Sequence, residues 1–263
     1  MKIINEIFTS IKLSKREIRS GLNGFKIFIA CIALGVFAIS FVGLTSANIQ
    51  KSLDNNAKIL LGGDVELSQR TTVFNDILIN WITSNSLAHS QIVELRSMAK
   101  SSRDNSTPIL VEIKSVDTNY PLTGKLEIRN SNDKPIFFSN KNKISLKENE
   151  IFAHQSLLNR LQVSVGDQIS LGEKLFTIKG IIIDEPDNIS GFFTLGPRII
   201  MSSEGLNVSG LNNYGSLVNH KIRILLNHVT ISQNWIIAFK KRFSNQNIRI
   251  QTSLNSQPST SNF

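Results

Sequence analysis

The sequence predicts an α+β chain, with one N-terminal transmembrane helix followed by a mixed α/β extracytoplasmic domain of two subdomains. Three observations lead there. Residues 27–44 (IFIACIALGVFAISFVGL) hold no charged side chain, and Lys26 is the only one in 25–44. The polar remainder of the chain mixes strand-like and helix-like patterns without the strict alternation of a parallel α/β fold. Cys31 is the only cysteine in 263 residues, so no internal disulfide exists and the domain must be held by its core. Hydrophobic residues make up 41% of the chain, and Gly 15 with Pro 6 is a modest content, which excludes disorder and collagen-like repeats.

Twenty helical residues rise about 30 Å, the hydrocarbon thickness of a bilayer, and in lipid the backbone must satisfy its own hydrogen bonds. We therefore place a spanning helix at 25–45. A buried helix of a soluble domain rarely runs this far without a charge, and a signal peptide has a shorter apolar region. Thr45-Ser46-Ala47 resembles a cleavage site, so a cleaved leader stays as the alternative. Residues 1–26 carry Lys2, Lys12, Lys15, Arg16, Arg19 and Lys26 against Glu6 and Glu17, whereas the stretch after Leu44 carries Lys51 and Lys58 against Asp54, Asp64 and Glu66. The positive-inside rule then puts the N-terminus in the cytoplasm and the bulk of the chain across the membrane.

The leader, 1–24, is amphipathic. Ile3, Ile4, Ile7, Phe8, Ile11, Ile18 and Leu22 share one sector of a helix, with Lys12, Arg16 and Arg19 opposite. Two readings stand side by side: a helix lying on anionic membrane lipid, or a basic flank that only sets topology. Within the span, Cys31, Gly35 and Ala38 form a strip of small residues of the kind that lets another helix approach.

Helical spacing continues through Ile49, Leu53, Ala57 and Leu60, a stalk over 46–60, and Gly62-Gly63 ends it. The domain is placed at 61–251. Its expected elements are a strand at 65–68, a helix at 73–83, strands at 91–99 and 108–116, a turn at 120–124 and a short strand at 125–129. The polar, Lys/Asn-rich stretch 130–149 reads as a loop or subdomain junction. A short helix at 153–161, a tight turn at Val165-Gly166-Asp167, and strands at 168–171, 174–183 and 197–201 come next. A strand within 215–226, an amphipathic helix at 230–243 built on Ile231, Trp235, Ile236 and Phe239, and a strand at 247–251 complete it. The tail, 252–263, has no core-forming pattern.

No catalytic, cofactor-binding or metal-binding residue is assigned, and no cofactor is implied. His89, His154, His220 and His228 stand far apart without metal-ligand spacing. Neither a nucleophile elbow, a zinc-protease helix nor a phosphate-binding loop is present. Asp184, Glu185 and Asp187 form the densest acidic cluster and read as a solvated turn around Pro186. The +5 balance of residues 46–263 is thinly spread with few aromatics nearby and, on this topology, lies outside the cell, so nucleic acid is not a partner. Trp81, Trp235, Phe192 and Phe193 read as core. Three sequons, at Asn105, Asn188 and Asn207, read as chance matches in an Asn-rich chain.

The order of several motifs resembles the start of large bacterial ABC-transporter permeases of the YbbP type, within the wider MacB/FtsX/LolC-like class. The motifs are Gly24-Phe25-Lys26-Ile27-Phe28-Ile29-Ala30-Cys31, Leu60-Leu61-Gly62-Gly63-Asp64-Val65-Glu66-Leu67 and Val93-Glu94-Leu95-Arg96-Ser97-Met98-Ala99. Leu110-Val111-Glu112-Ile113-Lys114-Ser115-Val116-Asp117, Tyr120-Pro121-Leu122-Thr123-Gly124, Val165-Gly166-Asp167 and Ser190-Gly191-Phe192-Phe193-Thr194-Leu195-Gly196-Pro197-Arg198 continue the series. The resemblance implies a MacB-like periplasmic domain, a bacterial inner-membrane location, and as partners a cytoplasmic ABC ATPase and the remaining permease helices. Members of the class continue into further membrane helices, so this chain is expected to be the N-terminal portion of a split or truncated permease. The expected role is non-catalytic: a permease component of an ABC-type export system that transmits ATPase-driven motion to the periplasmic domain. The alternative is a single-pass membrane-anchored periplasmic binding or interaction module without transport activity.

Overall fold

The structure is a computed structural model that describes residues 22–70, 72–102, 107–131, 133–187, 196–212, 217–227 and 231–253. The leader 1–21, Phe192 and Phe193, and the tail beyond 253 lie outside the described residues. Two compact units make up the chain, Met1–Leu53 and Asp54–Phe263.

Helix α1 runs Leu22–Leu61. Its apolar stretch Lys26–Ile49, 24 residues long, reaches a mean hydropathy of 2.7 within an 18-residue window, a window that is nowhere buried. Leu34, Phe37, Ile39 and Val42 are all more than half exposed, so the apolar surface runs around the helix rather than along one stripe. A helix apolar on every side needs lipid or other helices around it. Its last turn, inside the second unit, closes in a Schellman arrangement: the Gly62 amide donates to Ile59 O and the Gly63 amide to Lys58 O, both at 3.0 Å. Gly62 has φ +77°, a conformation that strains any residue with a Cβ.

The second unit is an α+β domain on one eleven-stranded sheet, ordered β11-β1-β10-β2-β3-β9-β6-β8-β4-β5, with β7 pairing both β2 and β8. In chain order it comprises β1 (Val65–Arg70), α2 (Asp76–Ser84), β2 (Ala88–Ser101), β3 (Ile109–Val116), β4 (Leu126–Arg129) and β5 (Pro135–Phe138). Next come β6 (Glu150–His154), α3 (Gln155–Leu161), β7 (Gln168–Leu171), β8 (Lys174–Asp184) and β9 (Arg198–Ser202). Helix α4 (Ser203–Val208), β10 (Asn219–Leu225), α5 (Ile231–Arg242) and β11 (Arg249–Thr252) complete the series. The pairings β3–β9 and β6–β8 are parallel and the others antiparallel.

Period-two alternation gives the sheet two unlike faces. On one face Val65, Leu67, Ile222 and Ile224 bury against Leu78 and Ile82 of α2 and Trp235 and Phe239 of α5. Trp81 joins them, its ring 5.1 Å from Trp235 and 5.8 Å from Phe239, and Trp235 Nε1 donates to Asn85 O at 2.9 Å. Both tryptophans are thus core, as their spacing predicts. A second cluster packs Leu157, Leu158 and Leu161 of α3 and Leu206 of α4 against Ile113, Ile199, Met201 and Phe176. A third gathers Tyr120, Leu126, Ile128, Phe152 and Ile182.

Four local expectations shift. The helix expected at 73–83 starts at Asp76 because Asn75 caps it, its Oδ1 accepting from the Leu78 amide at 2.9 Å, while Phe74 turns into the core ahead of the helix. The helix expected at 153–161 loses Ala153 and His154 to β6, where Ala153 is buried between the flanking strands; His154 becomes the cap instead. The stretch 130–149 contains β5, which forms a hairpin with β4 and tolerates Pro135 because it lies at the sheet edge. Helix α4, absent from the sequence expectations, is started by Ser202, whose Oγ accepts from the Gly205 amide at 3.0 Å.

Trp235→Ala removes the ring that binds α5 to α2, and should cost the domain about 3–5 kcal/mol. Urea unfolding of the full chain in detergent, followed by circular dichroism, measures it.

Candidate functional site

The other face of the sheet is charged, and its charges come from the same alternation. In β10 the sequence Lys221-Ile222-Arg223-Ile224 puts both cations on one side, and in β3 Glu112 and Lys114 do the same. Register then sets opposite charges side by side. Glu66 lies across from Arg223, Glu94 across from Lys114, and Arg96, Glu112 and Arg198 line up across β2, β3 and β9.

Lys114 lies at the centre, its side chain only 1% exposed. Its Nζ donates to Glu185 Oε1 at 2.5 Å, Asp187 Oδ2 at 2.6 Å and Tyr120 Oη at 3.0 Å. Tyr120 Oη donates in turn to Asp187 Oδ1 at 2.6 Å. Arg223 bridges Asp187 and Glu66, with Nε donating to Glu66 Oε2 at 3.1 Å. Lys221 pairs with Glu94 at 2.9 Å and with Glu66 at 3.8 Å. Burying charges is tolerable only with such pairing, since an ion taken from water without a partner costs several kcal/mol.

The acidic cluster expected to be a solvated turn is therefore corrected. Asp184 is exposed at the end of β8, but Glu185 and Asp187 turn inward and are buried on the sheet. The physical reason is Lys114, a cation inside a strand more than seventy residues earlier in the chain, which no local pattern links to them. Pro186 between them packs over Gly124, where an added Cβ would come within 2.4 Å of the proline ring.

The cluster shifts its members' proton affinities. Burial, aided by Arg223 and Arg198, draws Lys114 down to about 7 against the pull of Glu185 and Glu94. Burial also raises Tyr120 well above its ordinary value, reinforced by Glu185. Glu185 is opposed by burial yet held below the usual carboxylate range by Lys114 and Arg198. For Glu94, too, burial works against the charge, but Lys221, Lys114 and Arg198 outweigh it and hold the group at about 2.

Over this face lies a cavity of about 750 Å³, lined among others by Glu66, Arg96, Glu112, Arg198, Lys221 and Arg223. Among the described residues no histidine lines it, and His228 lies outside the described residues. His220 is buried on the helix-covered side of β10, where burial lowers its proton affinity, and His154 caps α3. Among the described residues no group of three or more His, Cys, Asp or Glu is placed to hold a metal ion. Cys31 lies exposed on α1. Lys114, Glu66, Glu94 and Arg223 escaped the sequence reading; the available signal was a charge recurring at every second position of otherwise apolar strands.

Arg223→Met leaves Glu66 and Asp187 buried without their shared guanidinium and should cost about 3–5 kcal/mol in urea unfolding. Because Glu94 is held at about 2 in the fold against an ordinary value of 4.5, its contribution is complete above pH 4.5 and is lost as pH falls toward 2. Glu94→Gln should therefore flatten the stability profile in that window, which unfolding midpoints at successive pH values will read.

No family model matches the sequence. The chain is 22% identical over 192 residues to the uncharacterized ABC transporter permease YbbP of Escherichia coli (strain K12), a match that covers 73% of this chain. The chain spans about a fifth of the length of that relative, since the match covers 22% of it. Among solved structures it is similar to the periplasmic region of MacB from Actinobacillus actinomycetemcomitans (TM-score 0.45, 12% identity, 74% of this chain and 94% of that one). It is also similar to the extracellular domain of the noncanonic ABC-type transporter YknZ from Gram-positive bacteria (TM-score 0.47, 10% identity, 72% and 100%). The motif order read from the residues and the match to YbbP agree: over most of its length this chain is similar to one part of a YbbP-type ABC transporter permease.

Proposed function

We propose that the chain is a non-catalytic membrane permease component of an ABC-type export system, seated in the bacterial inner membrane with its second unit in the periplasm. The observation that carries this reading is the likeness to YbbP, which covers 73% of the chain. A lipid-length apolar helix that continues to Leu61 supports it. Twenty-four residues of helix rise about 36 Å, enough to cross a bilayer with some tilt. The basic residues before the span put the N-terminus in the cytoplasm, on the side of an ATPase.

In this reading the ATPase and the remaining permease helices are the partners, and ATPase-driven motion passes from the span through residues 46–60 to the domain. The charged face supports a binding and mechanical role rather than catalysis, because its acids and bases are engaged with one another. Lys114 is closed in by Glu185, Asp187 and Tyr120.

Two measurements test the proposal. Protease added to intact spheroplasts should degrade the part after residue 46 and spare the leader; protection of the domain overturns the orientation. Purification of the tagged chain in mild detergent, with the neighbouring ATPase and permease segments co-expressed, should retain the ATPase. Loss of the ATPase under those conditions overturns the transport role and favours an anchored binding module.

A further inference from the structure

The row Arg96–Glu112–Arg198 differs from the rest of the charged face. Elsewhere on it each buried cation has a carboxylate at hydrogen-bond distance, as Lys114 has Glu185, Lys221 has Glu94 and Arg223 has Glu66. In this row one carboxylate serves two guanidinium groups, and neither approach is close. Arg96 Nε stands 3.5 Å from Glu112 Oε1, and Arg198 Nη2 stands 3.7 Å from Glu112 Oε2. The second acidic neighbour of Arg198, Glu185 Oε2, is 3.8 Å from Nε, and its other oxygen is held by Lys114. Arg198 Nε is buried and makes no hydrogen bond among the described residues. Such a donor is costly to leave unsatisfied, and guanidinium groups are strongest as forked donors to oxyanions.

Both arginines line the 750 Å³ cavity. They project from β2 and β9 with β3 between them, so their backbones are two strand spacings, roughly 10 Å, apart. Long side chains from two such positions can converge on a group standing above the middle strand. The cavity volume falls within the range of ligand pockets and far exceeds a single small ion. Leu60, Leu61, Leu211 and Leu217 supply apolar wall beside the charged floor.

We propose that this cavity is a binding site for an organic ligand bearing an oxyanion, a phosphate or a carboxylate, with Arg198 and Arg96 gripping the anionic group. Lys221 and Arg223, already closely paired, shape the floor, and the leucines contact the ligand body. The inference rests on the geometry of this face and not on the permease reading, so either stands if the other fails.

The test is a ³¹P NMR titration of the full chain in detergent micelles with two probes, inorganic phosphate and phenyl phosphate. Saturable broadening is expected with phenyl phosphate, and Arg198→Gln should weaken it about tenfold or more. Arg96 is the more exposed of the two, so Arg96→Gln keeps the fold and should weaken binding in the same direction even if the Arg198 variant proves unstable. Equal binding of both probes, with the same sensitivity to the arginine variants, would support the site and identify a free oxyanion as its occupant. A flat titration with both probes, or binding indifferent to the Arg96 substitution, overturns the proposal.

Discussion

A lysine ammonium removed from water must be given negative neighbours, and Lys114 dictates much of what surrounds it. It is placed in β3 by strand alternation alone, on the face opposite the one that α3 and α4 cover. The sheet answers in two ways. Glu94 is delivered by the next strand in register, and the chain after β8 folds back so that Glu185 and Asp187 reach the ammonium from above. Arg223 and Tyr120 then complete the shell around Asp187. Replacing such a network by apolar side chains of equal volume need not reduce stability, whereas removing one partner leaves an uncompensated charge. The arrangement therefore serves to specify geometry more than to add free energy: it admits one seating of the segment Glu185–Asp187.

The domain is divided between two kinds of interior. On the helix-covered face, apolar side chains meet at ordinary packing density with aromatic contacts near 5–6 Å. On the opposite face, charges are matched strand by strand. The same strands supply both, because each residue step changes the face to which the side chain points. A one-residue slip in register would carry Lys114 and Arg223 into the apolar core, so the charged face also guards the register of the sheet.

Much of the fold could be read from the sequence. The spanning helix was legible because eighteen uncharged residues are a strong signal, and the helix end at Gly62 because two glycines come after a helical run. Strands β7 and β8 were legible through clean alternation and a turn at Gly166. Elements whose identity depends on distant partners were not: β5 is too short and polar in context to stand out, and β6 was hidden behind the helix that succeeds it. The charged site is the extreme case. Glu66, Lys114, Glu185 and Arg223 belong to four separate segments, and only the strand order brings them together. A local reading sees each as a solvated charge, which is why Glu185 and Asp187 were expected on the surface.

Strand order also bears on how the polypeptide reaches this form. The first strand, β1, has as its neighbours β10 and β11, the two that come last in sequence among the described residues. While the ribosome is still building the middle of the molecule, residues 65–70 have nothing to lie against. The core formed by Val65 and Leu67 with Trp235 and Phe239 cannot begin to assemble until the chain has been made as far as α5. Loop closure across such separations is slow, and a waiting apolar strand is exposed to wrong pairings meanwhile. For this topology the sheet closes around β1 only after β10 and β11 have been made, and a holding chaperone would find a substrate in that waiting strand.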